Sequence, residues 1–434
     1  MRLRRWLVAA VTLVCVVGFG AIARPDTSNV QGPPPVVVAK MGEHCIDDPN
    51  CFNRYHPDIP PAVMVDPGDV VVFETRDALD SDFNFESTPD DVLAADLTLV
   101  HPMTGPVFIN GAEQGDVLAV KLIDIEPDEY GYTTIVPGFG FLRDLFTEPF
   151  IANWQLNRLE AVAAEVPGVH IPFAGFMGSV GVLPGEAELD TILAREAQLA
   201  EFGGIALTPE PTNALPADLC GPEGTASDRC LRTVPPRENG GNMDVKQMQV
   251  GTTLLLPCFI DGCGLFVGDV HYAQGDGEVA GTAIEMGAEV TVQVSLRRGM
   301  SLSMPEFEGG AELKQLEPSS FHATIGYPLK EAGEIPPYLT YLDSEKIEPL
   351  TNLSEDLMLA ARNALIQMVD YISANYGVTQ EQAYVICSVA ADLRIGQVVD
   401  VPNYLVSVVL PLDIFDEEGM MTTSVEVIDS PAKV

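Results

Sequence analysis

The chain has 434 residues, 47% of them apolar, and a formal net charge of −40 at pH 7. This length suits one large domain or two, and the apolar fraction is sufficient for a packed core. Acidic residues outnumber Lys and Arg by 63 to 23, so phosphate-bearing surfaces would be repelled. The composition therefore excludes nucleic acid and anionic membranes as partners.

Residues 1 to 23 have the features of an export signal. Arg2, Arg4 and Arg5 precede an apolar run from Trp6 to Ala23 that ends in a small-x-small cleavage pattern. The run is also just long enough for a single membrane span, so an uncleaved anchor is the alternative. The sequence predicts a secreted or periplasmic protein that has no stable membrane partner unless this segment stays uncleaved.

The spacing of the cysteines agrees with export, because disulfides persist in oxidising compartments. Six of the eight cysteines lie close together in pairs: Cys45 with Cys51, Cys220 with Cys230, and Cys258 with Cys263. Spacing alone does not fix the connectivity. No pair has the two-residue gap of a zinc knuckle, so disulfides are favoured over a cysteine-rich metal site.

The rest of the chain predicts one domain that carries an insertion. Residues 24 to 42 are rich in proline and polar residues and are predicted to be a linker. Residues 43 to 350 form the predicted β core, with an insertion at 185 to 236 that includes a short helix, LDTILAREAQLAEF. Residues 351 to 434 are expected to add C-terminal helices and a closing strand to the same domain.

Alternation of apolar and polar residues predicts strands in the core. AVMVDPGDVVVFE predicts two short strands around a turn, and a second pair is predicted between Pro106 and Ile125. VTVQVSLR, from Val290 to Arg297, alternates without a fault, which is typical of a sheet with one solvated face. Helix does not dominate the first 300 residues.

Near the C-terminus the period changes from two to nearly four. One helical face is predicted from Leu357, Ala361, Leu365, Met368 and Ile372. Residues 354 to 356 suit the start of this helix and Gly377 suits its end. Thr379 and Gln382 predict a capping box for a second helix that reaches about Leu393, and YLVSVVLPL predicts a final strand. The predicted fold class is a mainly β sandwich with a small helical C-terminal cap, α+β overall.

A candidate site lies in the strand LFVGDVHYA. Residues two apart share a face of a strand, so Asp269 and His271 point the same way. A carboxylate beside an imidazole is a donor set that suits a divalent metal. The alternative is that Asp269 is a turn residue, because Asp69 and Asp116 follow Gly at the start of other strands in the same way.

Two neighbouring segments add polar groups to this candidate site. GGNMD supplies Asn242 and Asp244 from another strand end. The tight turn around Asp276 returns Glu278 toward the same region. Buried acids and carboxamides cost free energy unless each finds a partner, so this density favours a functional site.

Eight segments carry a resemblance to a known family. They are FNRYHPDIPP, FETRDA, HPMTGPVFINGAEQGDVL, PGFGFL, RENGGNMDVKQ, GDVHYAQGDGE, FHATIG and AYVICSVAADLRIGQVVDVPN. In this order, from about residue 52 to residue 415, they resemble the acetamidase/formamidase family. The resemblance implies hydrolysis of small aliphatic amides to a carboxylate and ammonia, a β-sandwich fold, a bound divalent metal and a homo-oligomer.

Amide hydrolysis assigns roles to the candidate residues. The sequence shows no Gly-x-Ser-x-Gly or His-Glu-x-x-His motif, so water activated by a divalent metal is the hypothesis. Zinc is the first choice of metal and calcium the second. The predicted metal ligands are Asp269, His271 and Asp244; the predicted catalytic residues are Glu278, Asp276 and Asn242. The predicted substrate-binding residues are His56, Arg76, Gly240, Gly241, Gln274 and His322. Asn242, or the backbone of Gly240 and Gly241, would face the oxyanion, whereas His101 is predicted to be structural.

Three positions depart from the family pattern and keep other functions open. Phe52 and Tyr55 stand where relatives resembling formamidases carry His and Trp, and Glu238 stands where many relatives carry His. The alternative function is a catalytically inactive exported binding protein of the same fold. A third hypothesis is a calcium-stabilised structural module, which would use the acidic turns as oxygen ligands.

Overall fold

The computed structural model describes residues 33–201, 207–310, 317–330, 354, 356–399 and 403–416. The chain divides into two compact units, 1–34 and 35–434, and the description below concerns the second. The predicted export signal lies outside the described residues. Among the described residues, no helix combines the length and apolar composition needed to cross a bilayer.

The described residues form mainly strands. In chain order the strands are β1 (Val36–Val38), β2 (Cys51–Phe52), β3 (Arg54–Tyr55), β4 (Val63–Val65), β5 (Val70–Glu74), β6 (Met103–Ile109), β7 (Val117–Ile135), β8 (Phe150–Leu156), β9 (Glu160–Ala163), β10 (Ile171–Pro172), β11 (Phe176–Val182), β12 (Leu231–Arg232), β13 (Gly240–Asn242), β14 (Thr253–Pro257), β15 (Leu265–His271), β16 (Glu285–Arg297), β17 (Glu306–Glu308), β18 (Phe321–Gly326), β19 (Asp392–Gln397) and β20 (Leu405–Pro411). The α-helices are α1 (Pro89–Ala94), α2 (Glu186–Glu201), α3 (Ala217–Cys220), α4 (Leu357–Tyr376) and α5 (Gln380–Ala390), and one 3₁₀ turn spans Cys45–Asp47.

One large, branched sheet forms the body of the domain. Its main path runs β10-β9-β8-β7-β16-β15-β11-β13. The long strand β7 pairs with β14 at its beginning and with β8 at its end. Strand β16 pairs with β15 at its first residues and with β5 further along. Both central strands thus change partners along their length, and the largest apolar cluster of the described residues packs against this sheet.

The C-terminal region adds a separate three-stranded antiparallel sheet, β18-β20-β19, and two helices. Helix α4 packs on β18, β20 and α5. Its N-cap, Asp356, accepts a hydrogen bond from the backbone N–H of Met358 at 2.8 Å, and Gly377 ends it with φ of 68°. Thr379 and Gln382 form the predicted capping box of α5. That helix ends at Ala390, three residues earlier than predicted, because the chain turns into β19.

The sequence-based fold class is confirmed, since 34% of the residues lie in strands and 17% in helices. Strands β4 and β5 flank the predicted Asp-Pro-Gly-Asp turn, and β16 begins at Glu285, five residues before the predicted Val290. Strand β1 lies inside the stretch predicted to be a linker and runs parallel to β5. The insertion is tied to the core through the pairing of β12 with β3.

Three disulfides join the cysteines that lie close together in the sequence. Cys45 bonds to Cys51, Cys220 to Cys230, and Cys258 to Cys263. Cys387 is a buried free thiol in α5. The predicted pairs are therefore the pairs that form.

Candidate active site

The site begins at the pairing of two central strands. Strands β15 and β16 are antiparallel, and their register sets His271 directly opposite Glu285. Asp269 precedes His271 by two residues, and its Oδ1 lies 3.4 Å from His271 Nε2. Glu285 Oε2 lies 3.2 Å from the same nitrogen. All three side chains are buried, so two carboxylates face one imidazole nitrogen away from water.

A glycine on the neighbouring strand makes room for this cluster. Gly178 of β11 lies so close that an added Cβ would stand 2.5 Å from the Asp269 carbonyl oxygen and 2.8 Å from His271 Nε2. Any other residue would displace one of these two groups. Ser179, the next residue, places its Oγ 3.2 Å from Asp269 Oδ2 and 3.1 Å from Asn242 Oδ1, which links β11 to both polar segments.

Gln274 fixes the tautomer of His271. Its Nε2 donates to the backbone oxygen of Asp244 at 2.9 Å, so its amide oxygen must face the histidine. That oxygen lies 2.8 Å from His271 Nδ1 and can only accept. Nδ1 therefore carries a proton, and Nε2 is the ring atom that faces Asp269 and Glu285. Burial opposes a charge on the ring, but the Glu285 and Asp269 carboxylates hold the pKa of His271 well above its ordinary value, so without a bound cation Nε2 is protonated and pairs with them. When a cation displaces that proton, Nε2 offers it a lone pair.

The converging polar atoms have the chemistry of a cation site. Asp244 Oδ1 is buried and makes no hydrogen bond among the described residues, although buried polar atoms are normally partnered. His271 Nε2 and Glu285 Oε2 face each other at ion-pair distance, and a divalent cation can replace the proton between them. One imidazole nitrogen and carboxylate oxygens are typical ligands of Zn²⁺. The donor set therefore fits a divalent metal, held by Asp269, His271 and Glu285.

A second pair of acids borders the first group. The ligand atoms of Asp244, His271 and Glu278 lie within 4.8 Å of one another, as do those of Asp269, His271 and Glu285. Four carboxyl groups thus surround a single imidazole. Asp244 and Glu278 both have positive φ angles, 51° and 42°, so tight turns rather than regular strands aim these two side chains.

Burial and crowding shift the protonation of the whole cluster. Burial, with the nearby Asp269 and Glu285 carboxylates, raises the pKa of Asp244 to about 8. Burial likewise raises the pKa of Glu285 to about 7 and that of Glu278 well above its ordinary value. Burial opposes charge on Asp269 too, but the imidazoles of His101 and His271 hold its pKa below the usual range. The cluster cannot carry four negative charges without a compensating cation.

The acids form the floor of a cavity of about 270 Å³. Asp269, Glu278 and Glu285 line it together with Asn242 and His101. Most of the remaining wall is apolar: Ala78, Leu79, Leu97, Val100, Val136, Phe139, Leu207 and Val234. A few convergent polar groups in an apolar cavity are typical of a small-molecule site.

The structure brings six of the predicted residues to this site. They are Asp244, Asp269, His271, Glu278, Asn242 and Gln274. Gly240 and Gly241 lie in β13 beside β11, but the Gly240 N–H donates to the Arg237 carbonyl at 3.0 Å and so is not available to an oxyanion. An added Cβ at Gly241 would stand 3.1 Å from Tyr55 Oη, so this glycine allows close packing.

Four other predicted residues lie outside the cavity wall. Asp276 accepts from Gln247 Nε2 at 2.9 Å. His56 faces Asp58 and Glu186 near the surface. Arg76 is buried against the carboxylates of Asp48 and Asp80, and His322 stacks on Tyr371 in the C-terminal sheet at 3.5 Å between ring centroids.

The sequence reasoning missed Glu285 and underrated His101. Glu285 is the first of four consecutive buried residues that open β16, and an acid at the head of such a run was the available signal. His101 lines the cavity, and its buried Nδ1 has no hydrogen-bond partner among the described residues. His101 begins the segment HPMTGP, which resembles an ordinary turn before a strand, so its sequence context gave no sign of a functional role.

Phe52, Tyr55 and Glu238, the three departures from the family pattern, do not line the cavity. Phe52 and Tyr55 pack with Phe266 in a small apolar cluster. Glu238 forms an ion pair with Arg195 at 2.6 Å outside the cavity wall. Neither Phe52 nor Glu238 stands where a metal ligand is needed.

Comparison with known proteins gives consistent matches over most of the chain. The model of the acetamidase/formamidase family matches residues 40–417. The formamidase of Methylophilus methylotrophus is 31% identical over 393 residues, which cover 85% of this chain and 90% of that protein. The acetamidase of Mycolicibacterium smegmatis is 33% identical over 364 residues, which cover 77% of this chain and 84% of that protein. The solved structure of the gamma lactamase from Delftia acidovorans is 31% identical and superposes with a TM-score of 0.78, over 88% of this chain and 93% of that one.

Proposed function

The chain belongs to the acetamidase/formamidase family and is an amidohydrolase of linear amides, and we propose that it cleaves them with water activated by a divalent metal. The observation that supports the metal is the convergence of one imidazole with four buried carboxyl groups, whose ligand atoms lie within 4.8 Å of one another in two groups of three, one of which includes the unpartnered Asp244 Oδ1. A bound divalent cation would supply Lewis acidity and lower the pKa of water. Zinc is the first candidate and calcium the second.

The side chains divide into holding and proton-transfer groups. Asp269, His271 and Glu285 would hold the cation, and Asp244 would border it. The positive charge would lower the raised pKa of Glu278, so that this group, on the cavity wall beside them, takes the proton of the attacking water and returns it to the leaving nitrogen. Water adds to the carbonyl carbon, the C–N bond breaks, and a carboxylate and ammonia leave. Asn242 lines the same wall, where its carboxamide can contact the substrate carbonyl.

Catalysis is favoured over a binding protein of the same fold. The departures at Phe52 and Glu238 were the reason for the alternative, and both residues lie away from the cavity wall. Glu278, on the cavity wall beside the cluster of possible metal ligands, is placed as a proton-transfer group would be. The enzymatic function uses each of these groups.

The experiment that tests the proposal is ammonia release by the purified protein. Formamide, acetamide, propionamide and urea are each assayed before and after chelation, and then after addition of zinc or calcium. We expect release that chelation abolishes and one metal restores. A folded, metal-loaded sample that releases ammonia from none of them would favour the binding protein instead.

Export and self-association complete the proposal. Three disulfides and the apolar N-terminal run support a secreted or periplasmic location. Apolar side chains on the C-terminal sheet support a homo-oligomer: Phe321 is 60% exposed, Ile325 47% and Ile395 64%. Fractionation of the native host and sedimentation analysis test the two points.

A further inference from the structure

The cavity is large for the smallest amides. Its volume of about 270 Å³ corresponds to roughly nine water molecules at ~30 Å³ each. Formamide or acetamide would leave more than half of that space to water. Water against an apolar wall is not stabilised, so the size and lining favour a longer acyl chain.

The wall also carries one positive charge that the reaction does not use. Arg232 of β12 lines the cavity and is only 8% exposed. Its Nη2 donates to the Leu97 carbonyl at 2.7 Å, whereas its buried Nε makes no hydrogen bond among the described residues. No described carboxylate comes within 4.0 Å of this guanidinium. A buried charge without a partner is costly.

The nearest acids are engaged elsewhere. Asp96 accepts from Thr98 and Asn213, and Glu210 accepts from the Thr212 N–H and faces Arg54. Both carboxylates attract the Arg232 guanidinium, but neither lies within ion-pair distance of it, so its donors remain available to a closer oxygen acceptor. A guanidinium presents a planar fork of donors that matches an oxygen acceptor, and a carboxylate best of all.

Arg232 and the acids line the same cavity. Arg232 donates to the carbonyl of Leu97, and Leu97 is 48% exposed, so the guanidinium is anchored to a residue on the open side of the cavity. Asp269 and Glu285 are only 3% and 2% exposed. The rest of the wall includes apolar side chains such as Leu79 and Val100.

We propose that the substrate is an amide whose acyl chain is apolar and ends in an oxygen acceptor, which Arg232 binds on the open side of the cavity. This inference rests on the proposed amide hydrolysis and defines its substrate class. Arg232 is a specificity residue, because it contacts the far end of the substrate and not the reacting atoms. The acceptor is a carboxylate or a neutral carbonyl, and the two are separated by the test.

The test uses three amides of equal chain length with the metal-loaded protein: hexanamide, adipamide and adipamic acid. Adipamide ends in a neutral carbonyl, adipamic acid in a carboxylate and hexanamide in a methyl group. We expect kcat/KM to be at least about tenfold higher for one of the acceptor-ended amides than for hexanamide, and higher than for acetamide. Hexanamide as the best of the three, or acetamide above all three, would overturn the inference while leaving amide hydrolysis in place.

Variants of Arg232 test whether its guanidinium causes the preference for an acceptor-ended amide. Arg232→Met should raise KM for the preferred acceptor-ended amide by about tenfold or more and change hexanamide by less than about threefold. Arg232→Lys should recover part of the loss, because it restores the charge but not the fork. Arg158→Met, which removes an exposed arginine paired with Asp124 and Glu126, is the control. Equal losses for all three amides in Arg232→Met would mean a structural role and would refute the assignment.

A binding measurement separates this inference from the proposed function. Calorimetry with adipate and hexanoate on the metal-loaded protein needs no turnover. Adipate, the product of adipamic acid, should bind at least about tenfold more tightly than hexanoate, and Arg232→Met should remove that difference, if the acceptor is a carboxylate. If neither the three amides nor the two acids discriminate an oxygen end, the inference fails whether or not the protein hydrolyses amides.

Discussion

The Nδ1 atom of His271 lies 2.8 Å from the side-chain oxygen of Gln274. Because the other end of the Gln274 amide donates to the Asp244 backbone, this contact can hold only one tautomer. One hydrogen bond therefore connects the turn that carries Gln274 to the direction of the His271 lone pair. A partner of this kind orients a metal ligand and raises its basicity.

Replacing Gln274 should weaken the metal site. Gln274→Leu removes both the acceptor for Nδ1–H and the donor to Asp244, so the affinity for a divalent metal should fall by about 10- to 100-fold. Competition with a chelating dye measures it. Gln293→Leu, which removes an exposed glutamine on β16 that donates to Gly68, is the matched control. Equal affinities in the two variants would show that Gln274 does not set the tautomer.

The sequence predicted the parts of this site that depend on local spacing. Asp269 and His271 are two residues apart on one strand, so the period of a strand was enough to pair them. Glu285 could not be found that way, because it meets His271 only through the register of β15 on β16. Register is set by the hydrophobic pattern and turns of both strands together.

Sequence spacing also could not show which side chains reach the cavity. His56 and Arg76 lie in the segments of the family resemblance, yet the structure turns both away from the cavity wall. Arg76 became a structural residue because the 3₁₀ turn at Cys45–Asp47 brings Asp48 against it. Arg232 reaches the cavity because the insertion folds back and pairs β12 with β3, a long-range contact without a local signal.

The proton-transfer role of Glu278 can be tested with Asp276, in the same turn, as the control. Glu278→Gln keeps the volume but removes the group that accepts and returns the proton, so kcat should fall by at least about 100-fold. Metal content, measured by atomic emission, should stay within about twofold of the unmodified protein, as Asp269, His271 and Glu285 supply the ligands. Asp276→Asn is the control, because Asp276 bonds to Gln247 instead. Turnover that persists in Glu278→Gln would remove Glu278 from the mechanism.

The C-terminal helices should depend on one buried ion pair. Arg362 of α4 bonds Asp144 through both terminal nitrogens, at 2.7 and 2.5 Å, and the side chains are 7% and 4% exposed. Arg362→Met leaves the Asp144 carboxylate buried and unpaired, which should lower the free energy of unfolding by about 3 to 5 kcal/mol. The double variant with Asp144→Leu should recover most of that loss.

These variants are compared by denaturant unfolding, and an exposed ion pair serves as the matched control. Arg158 pairs with Asp124 at 2.7 Å, but each side chain is 40% exposed. Arg158→Met should therefore cost less than about 1 kcal/mol. A cost for Arg362→Met no larger than that for Arg158→Met would mean that the buried pair does not hold α4 to the core.

The His56 imidazole should make stability depend on pH. Its Nδ1 accepts the Asp58 backbone N–H at 3.1 Å, which requires an unprotonated nitrogen. Burial lowers the pKa of His56 from its ordinary 6.5, against the opposing pull of the Asp58 and Glu186 carboxylates and with a further contribution from Arg229. The unfolded chain therefore binds a proton at a higher pH than the folded chain does.

The sign of the effect follows from proton linkage. Between the lowered pKa and 6.5 the unfolded state holds more protons, so the free energy of unfolding falls as pH decreases through that window and no further below it. His56→Gln keeps an acceptor for the Asp58 N–H but cannot titrate, so it should lose less stability than the unmodified protein between pH ~7 and ~5.5. His170→Gln, which removes a surface imidazole beside Glu160 and Asp416, is the control for loss of a histidine. Parallel curves of unfolding free energy against pH for the unmodified protein and His56→Gln would contradict the assignment of a neutral, hydrogen-bonded His56.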